Sequence, residues 1–154
     1  MEMPRPTRAH QELQRIAGDW IGKERIYPSQ WDPKGGDAVG RVHNTPALDG
    51  FAVIQDYEQE KEGKVIFRGH GVFTWNQQEE CYVLYWFDSS GMPGSLFKGS
   101  FENSLLTLLH HNPQAHVRAV WDFRAKDRYT YRLEMSPDGN SWSPFLDGSY
   151  DRKK

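Results

Sequence analysis

The chain has 154 residues, with 19 Lys plus Arg against 21 Asp plus Glu and a formal net charge of −2, the size of one ordinary domain. A nearly neutral chain without a basic run offers no electrostatic footprint for a phosphate backbone or an anionic membrane surface, which argues against nucleic acid and membrane as partners. Apolar runs of about half a dozen residues fall short of the roughly 20 that cross a bilayer. The opening MEMPRPTRAHQELQ lacks a signal peptide's apolar stretch, and the lone Cys81 can form no internal disulfide; both point to a cytoplasmic protein.

In chain order, Thr7 is a helix N-cap, Leu13, Ile16 and Ala17 recur at helical spacing, and Gly18 is a stop, giving one short helix over about 8–17. From Asp19 the period changes to two. Ten strands are expected near 20–27, 38–44, 51–59, 65–75, 82–88, 96–101, 105–111, 116–124, 129–135 and 144–151, separated by turn residues such as Glu62-Gly63, Asn112-Pro113 and Pro137 to Asn140. The composition agrees: 6 Trp, 7 Tyr and 8 Phe supply buried area in a chain only 37% apolar, with 14 Gly and 9 Pro for turns.

Connections this short make sequence neighbours pair antiparallel, because a parallel pair needs a crossover of a dozen residues or more. The expectation is a single all-β domain spanning 1–154, an antiparallel up-and-down β-barrel of about ten strands over 19–152 with one N-terminal helix. Closure removes the sheet edges, and a two-sheet sandwich is the competing architecture. A barrel of this size has room for one small ligand.

Gly18-Asp19-Trp20-Ile21-Gly22, after a short helix and at the head of the first strand, resembles the Gly-x-Trp opening of lipocalins and other calycins. With Tyr27-Pro28 added it also looks like the start of nitrobindin-like barrels. Phe67-Arg68-Gly69-His70-Gly71, Tyr85-Trp86-Phe87-Asp88 and Ser136-Pro137-Asp138-Gly139 resemble a family of uncharacterised bacterial calycin-like proteins with no assigned function. The resemblance implies the barrel, with Trp20 packed across its closed end beside the helix. It implies no cofactor: nitrobindins ligate haem through a histidine on a strand close to the C-terminus, and this chain has none after His116. The Arg-x-Tyr carboxylate clamp of fatty-acid-binding relatives is not reproduced in Asp127-Arg128-Tyr129-Thr130-Tyr131.

The candidate ligand-binding residues are Glu24, Arg41, His43, Arg68, His70, Trp86, Asp88, Trp121 and Tyr131. Arg41/His43 and Arg68/His70 repeat an Arg-x-His spacing that puts each pair on one strand face. Facing inward, they form a cationic pocket for a carboxylate; facing outward, they are a solvated sheet face. Glu24 shares its face with Trp20, Gly22 and Ile26, which makes it a buried acid in need of a partner, with Arg41 a candidate. Trp86, Trp121 and Tyr131 supply aromatic wall.

His110, His111 and His116 gather near one hairpin without a third carboxylate or cysteine, so they read as polar mouth residues rather than a metal site. Cys81 follows Glu79 and Glu80, whose charge raises a thiol pKa, and no nucleophile motif is present. Trp31, in the longest connection, is either a lid residue or a surface anchor. These features favour a binding protein for a small apolar or amphipathic ligand, with an anionic end if the Arg/His faces point inward. The alternatives are a small isomerase- or hydrolase-like enzyme using Glu24, His70 or Asp88, and a partner-binding module whose exposed aromatics Trp31, Trp75 or Trp142 would suit a homodimer.

Overall fold

In the computed structural model, which describes residues 1–154, an extended Thr7 leads into α1 (Arg8–Leu13). The Thr7 N–H donates to His10 Nδ1 at 3.0 Å. The last turn tightens into a 3₁₀ segment, Gln14–Ile16, and Ala17 is already extended, so the α-helix is shorter than the spacing predicts. Gly18 then takes φ +131°, a backbone conformation open to glycine and few others.

Ten strands follow: β1 Gly18–Ile26, β2 Gly36–Ala47, β3 Ala52–Lys61, β4 Lys64–Asn76, β5 Cys81–Asp88, β6 Ser95–Glu102, β7 Leu105–His111, β8 His116–Asp122, β9 Arg128–Ser136 and β10 Ser143–Arg152. Each pairs antiparallel with its sequence neighbour, and β1 also pairs with β10, closing the barrel. The closed barrel, not the sandwich, is the architecture. β2 continues past its expected end at Asn44 through Pro46, a residue confined in sheets to positions without a ladder partner for its nitrogen. It is tolerated because β1 stops opposite Asn44 and residues 45–47 pair only with β3, so the missing N–H of Pro46 costs no ladder bond.

The helix plugs one end. Leu13 and Ile16 join Trp20, Val42, Val53, Phe73, Leu106, Trp121 and Phe123 in the main core. Trp20 donates its indole N–H to the Ile16 carbonyl at 3.0 Å and meets Tyr129 edge-on at 4.8 Å between ring centroids. The Arg152 guanidinium lies 4.2 Å over the same indole and donates to the Ala17 carbonyl. First and last strands are thus latched at the plugged end by a hydrogen bond and a cation–π contact, and Trp20 has the packing role that the resemblance implies.

Three glycines make room inside. Gly22, Gly40 and Gly148, on the adjacent strands β1, β2 and β10, lie beneath the Tyr150 ring and the Glu24 carboxylate. A methyl group at Gly40 would come within 2.9 Å of Tyr150 Cε1 and closer still to Glu24. Gly40→Ala is therefore expected to destabilise the barrel by about 1–3 kcal/mol, the usual cost of overpacking. Urea denaturation checks this, with the outward-facing Thr130→Ala as a control expected to stay near wild type.

Candidate functional site

Closure assigns every strand residue to the lumen or to the outer face, and the four basic candidates lie outside. Arg41, His43, Arg68 and His70 alternate with the inward Gly40, Val42, Gly69 and Gly71. β3 runs between their two strands and turns Asp56, Glu58 and Glu60 to the same outer face. Register places Arg41 opposite Glu58 opposite Arg68, and His43 opposite Asp56 opposite His70. Glu58 accepts from Arg68 at 2.5 Å, Asp56 is 2.6 Å from His70 Nδ1, Asp19 is 2.8 Å from His43 Nδ1, and Arg41 donates to Glu60. The cationic pocket does not form. The Arg-x-His repeat is a charge ladder on the solvated wall, where each pair contributes at most about 1 kcal/mol.

The acid does point inward. Glu24 is 3% exposed, and its partners are hydroxyls and an amide rather than Arg41. Tyr57 Oη donates to the carboxylate, lying 2.8 Å from both oxygens. Gln59 Nε2 donates to Oε1 at 3.0 Å, and Tyr150 Oη donates to Oε2. Tyr129 stacks on Tyr150 at 4.7 Å, and Tyr131 sits 4.9 Å from Trp121.

The hydroxyls of Tyr129 and Tyr131 find no hydrogen-bond partner in the protein. No polar side-chain atom sealed from solvent lacks a partner, so both hydroxyls reach accessible space. Burial raises the Glu24 pKa, against the pull of its three donors. Burial and the nearby Glu24 carboxylate together raise those of Tyr57, Tyr129, Tyr131 and Tyr150. All four stay protonated at neutral pH.

Toward the end away from the helix, the inner face stays half-buried at Tyr57, Phe67, Trp86, Tyr131, Leu133 and Met135. In a closed barrel, inward side chains reach water only through the lumen, so the lumen is open at that end. Trp86 packs over Gly69 and Gly71, where a side chain would collide with its ring, and donates its indole N–H to Asp88 Oδ2 at 2.9 Å. Trp121 lies deeper, 5.6 Å from Phe73. Of the nine candidates, Glu24, Trp86, Asp88, Trp121 and Tyr131 thus share the inner face; Tyr57, Gln59, Tyr129 and Tyr150 were not among them and belong with Glu24. A groove of about 500 Å³ on the wall, between Lys23, Arg25, Asp37, Arg132, Asp147 and Ser149, is also lined by Glu24, Tyr131 and Gly148.

The remaining motifs resolve as follows. His111 and His116 approach each other at 2.5 Å between Nδ1 atoms, while His110 turns inward and bonds the Leu96 carbonyl at 2.9 Å. No group of three metal-ligating side chains is assembled. Burial and Glu79 raise the Cys81 thiol. Trp31 is 71% exposed and leans edge-on toward Phe145 at 6.3 Å. Its loop is tied down by Lys61, which donates to Asp32 at 2.8 Å and to the Gly35 carbonyl at 2.7 Å. Trp75 stacks edge-on with Tyr82 and Trp142 lies under Arg118, so neither is a free aromatic. No helix is long and apolar enough to cross a membrane.

The raised pKa of Glu24 has a definite sign for stability. Unfolded chains ionise this residue near 4.5, before the folded protein does. Its contribution is therefore fully favourable below that pH and is lost as pH rises through the folded value. Glu24→Gln removes the loss, so the variant gains stability relative to wild type as pH goes from 4.5 to 8. Paired urea melts at the two pH values read the change directly, and a pH-independent difference would contradict it.

No match was found among proteins of curated function. Among solved structures, Rv2717c from M. tuberculosis superposes with a TM-score of 0.74 at 14% identity, over 96% of this chain and 99% of its own. An S-type phycobiliprotein lyase, CPES, from Guillardia theta superposes with a TM-score of 0.64 at 11% identity, over 97% and 99%. At these identities the likeness is one of fold. The sequence profile of the family described as "Protein of unknown function (DUF1579)" matches residues 5–152, and with its calycin-like barrel the chain belongs to that family.

Proposed function

We propose that the protein binds one small, flat, largely apolar molecule in its lumen and does no chemistry on it. The observation that carries this reading is the half-buried inner face at the end away from the helix. Tyr57, Phe67, Trp86, Tyr131, Leu133 and Met135 point into a closed barrel yet keep contact with solvent. A lumen that folding alone was meant to fill would bury them, as it buries Phe73, Leu106 and Leu108 beside the helix. Aromatic and thioether walls with a few polar groups are the usual make-up of a small-molecule site.

The expectation of an anionic end loses its support with Arg41, His43, Arg68 and His70 on the outer wall. An enzymatic reading loses His70, which lies across the barrel wall from Glu24. Native mass spectrometry of the protein purified from its own host tests the proposal: a retained compound at 1:1 stoichiometry is expected. Trp86→Ala, which removes a wall ring, is expected to lower its occupancy at least about tenfold, since a buried aromatic contributes more than the 1.4 kcal/mol that corresponds to that factor. Arg41→Ala and Arg68→Ala leave it unchanged. An empty wild-type protein that also fails to take up small aromatic probes overturns the reading.

A further inference from the structure

The inner face carries two carboxylates, Glu24 at depth and Asp88 nearer the opening, and one imidazole, His110. No lysine or arginine pairs with Glu24, whose hydrogen-bond partners are Tyr57 and Gln59 from β3 and Tyr150 from β10, with Tyr129 and Tyr131 from β9 close by. The direction of the hydrogen bonds narrows the chemistry further. Each phenol has a single O–H, and Tyr57 and Tyr150 spend theirs on the carboxylate. With its one hydrogen on the carboxylate, Tyr57 Oη can only accept from a ligand that reaches it, an acceptor backed by a buried acid. Beside it, Tyr131 offers a hydroxyl with no partner in the protein.

Resting on the carrier reading above, we infer that the lumen selects ligands whose buried end is a hydrogen-bond donor of neutral or positive charge, an amine or an N–H heterocycle on an aromatic frame, and rejects carboxylates. A donor finds the Tyr57 oxygen and, through it, the Glu24 charge. A cation adds direct attraction in a water-poor site where charges are weakly screened. A carboxylate would face the lone pairs of Tyr57 and the like charge of Glu24, and only the unpartnered hydroxyls of Tyr129 and Tyr131 could donate to it.

Three probes that share one ring system and differ in the head group separate the possibilities: 2-naphthylmethylamine, protonated at pH 7, 2-naphthylmethanol and 2-naphthoate. Isothermal titration calorimetry at pH 7 is expected to rank them in that order, with the amine at least about tenfold tighter than the carboxylate, the factor that a modest 1.4 kcal/mol charge preference produces. Glu24→Gln is expected to shrink the preference to within about threefold, and Glu58→Gln, on the outer wall, to leave it intact.

Equal affinities, or a tighter naphthoate, overturn the head-group inference while leaving the carrier reading standing. Binding of none of the three overturns the inference, and together with an empty protein from the host it removes the carrier reading as well. A preference that survives Glu24→Gln overturns the assignment to Glu24. The wild-type ranking is a sufficient test by itself should Glu24→Gln fail to fold.

Discussion

Everything in this molecule follows from the double pairing of β1, with β2 on one side and β10 on the other. Once the sheet is closed, no strand has a free edge and each residue has only two addresses, lumen or outer wall. A slip of one residue in β1 would send Glu24, Trp20 and Ile26 out and bring Lys23 and Arg25 in. The latch of Arg152 on Trp20 and on the Ala17 carbonyl guards against that slip at the plugged end. With the parity settled, the outer wall becomes a set of cross-strand charge pairs and the inner wall a set of rings, with one deep acid among them.

The acid is stabilised in an unusual currency. Pairing Glu24 with an arginine would bury two charges, and the desolvation of both often exceeds what their attraction returns. Two phenols and an amide satisfy the carboxylate without adding a second charge. The inward glycines 22, 40 and 148 provide the room that the Tyr150 ring needs to reach it. The charge stays uncompensated as a result, which is why burial pushes its pKa up despite three donors.

Much of the fold was legible because strand period, turn residues and short connections are local signals. The ten strands, the helix behind Thr7 and the inward set Trp20, Gly22, Glu24 and Ile26 all follow from them. The Arg-x-His repeat is also local, but its face was not decided by its own strands. The deciding text lay between them: Asp56, Glu58 and Glu60 alternate with Tyr57 and Gln59, and a strand that buries one of these two sets buries the tyrosine and the glutamine. Read together, the three strands place the acids and bases outside and Tyr57 and Gln59 inside. Tyr150 had no such signal. It meets Glu24 across 126 residues, a contact that exists only because the ends of the sheet join. β2 likewise runs three residues past its expected end at Asn44, through Pro46, where only β3 is its neighbour.

The latch at the plugged end also constrains the order of events in folding. Ala17 and Arg152 are 135 residues apart, so the last contact to close spans nearly the whole chain, and loop-closure entropy opposes it until the intervening strands are in place. On an emerging chain, β1 has one open edge until β10 leaves the ribosome, and the segment from Trp20 to Ile26 is the one whose backbone waits longest for its second partner. Such an edge is a ready template for pairing with another chain. On its outer face Asp19, Lys23 and Arg25, with Ile21 among them, are charges of the kind that discourage pairing with another chain at an open edge.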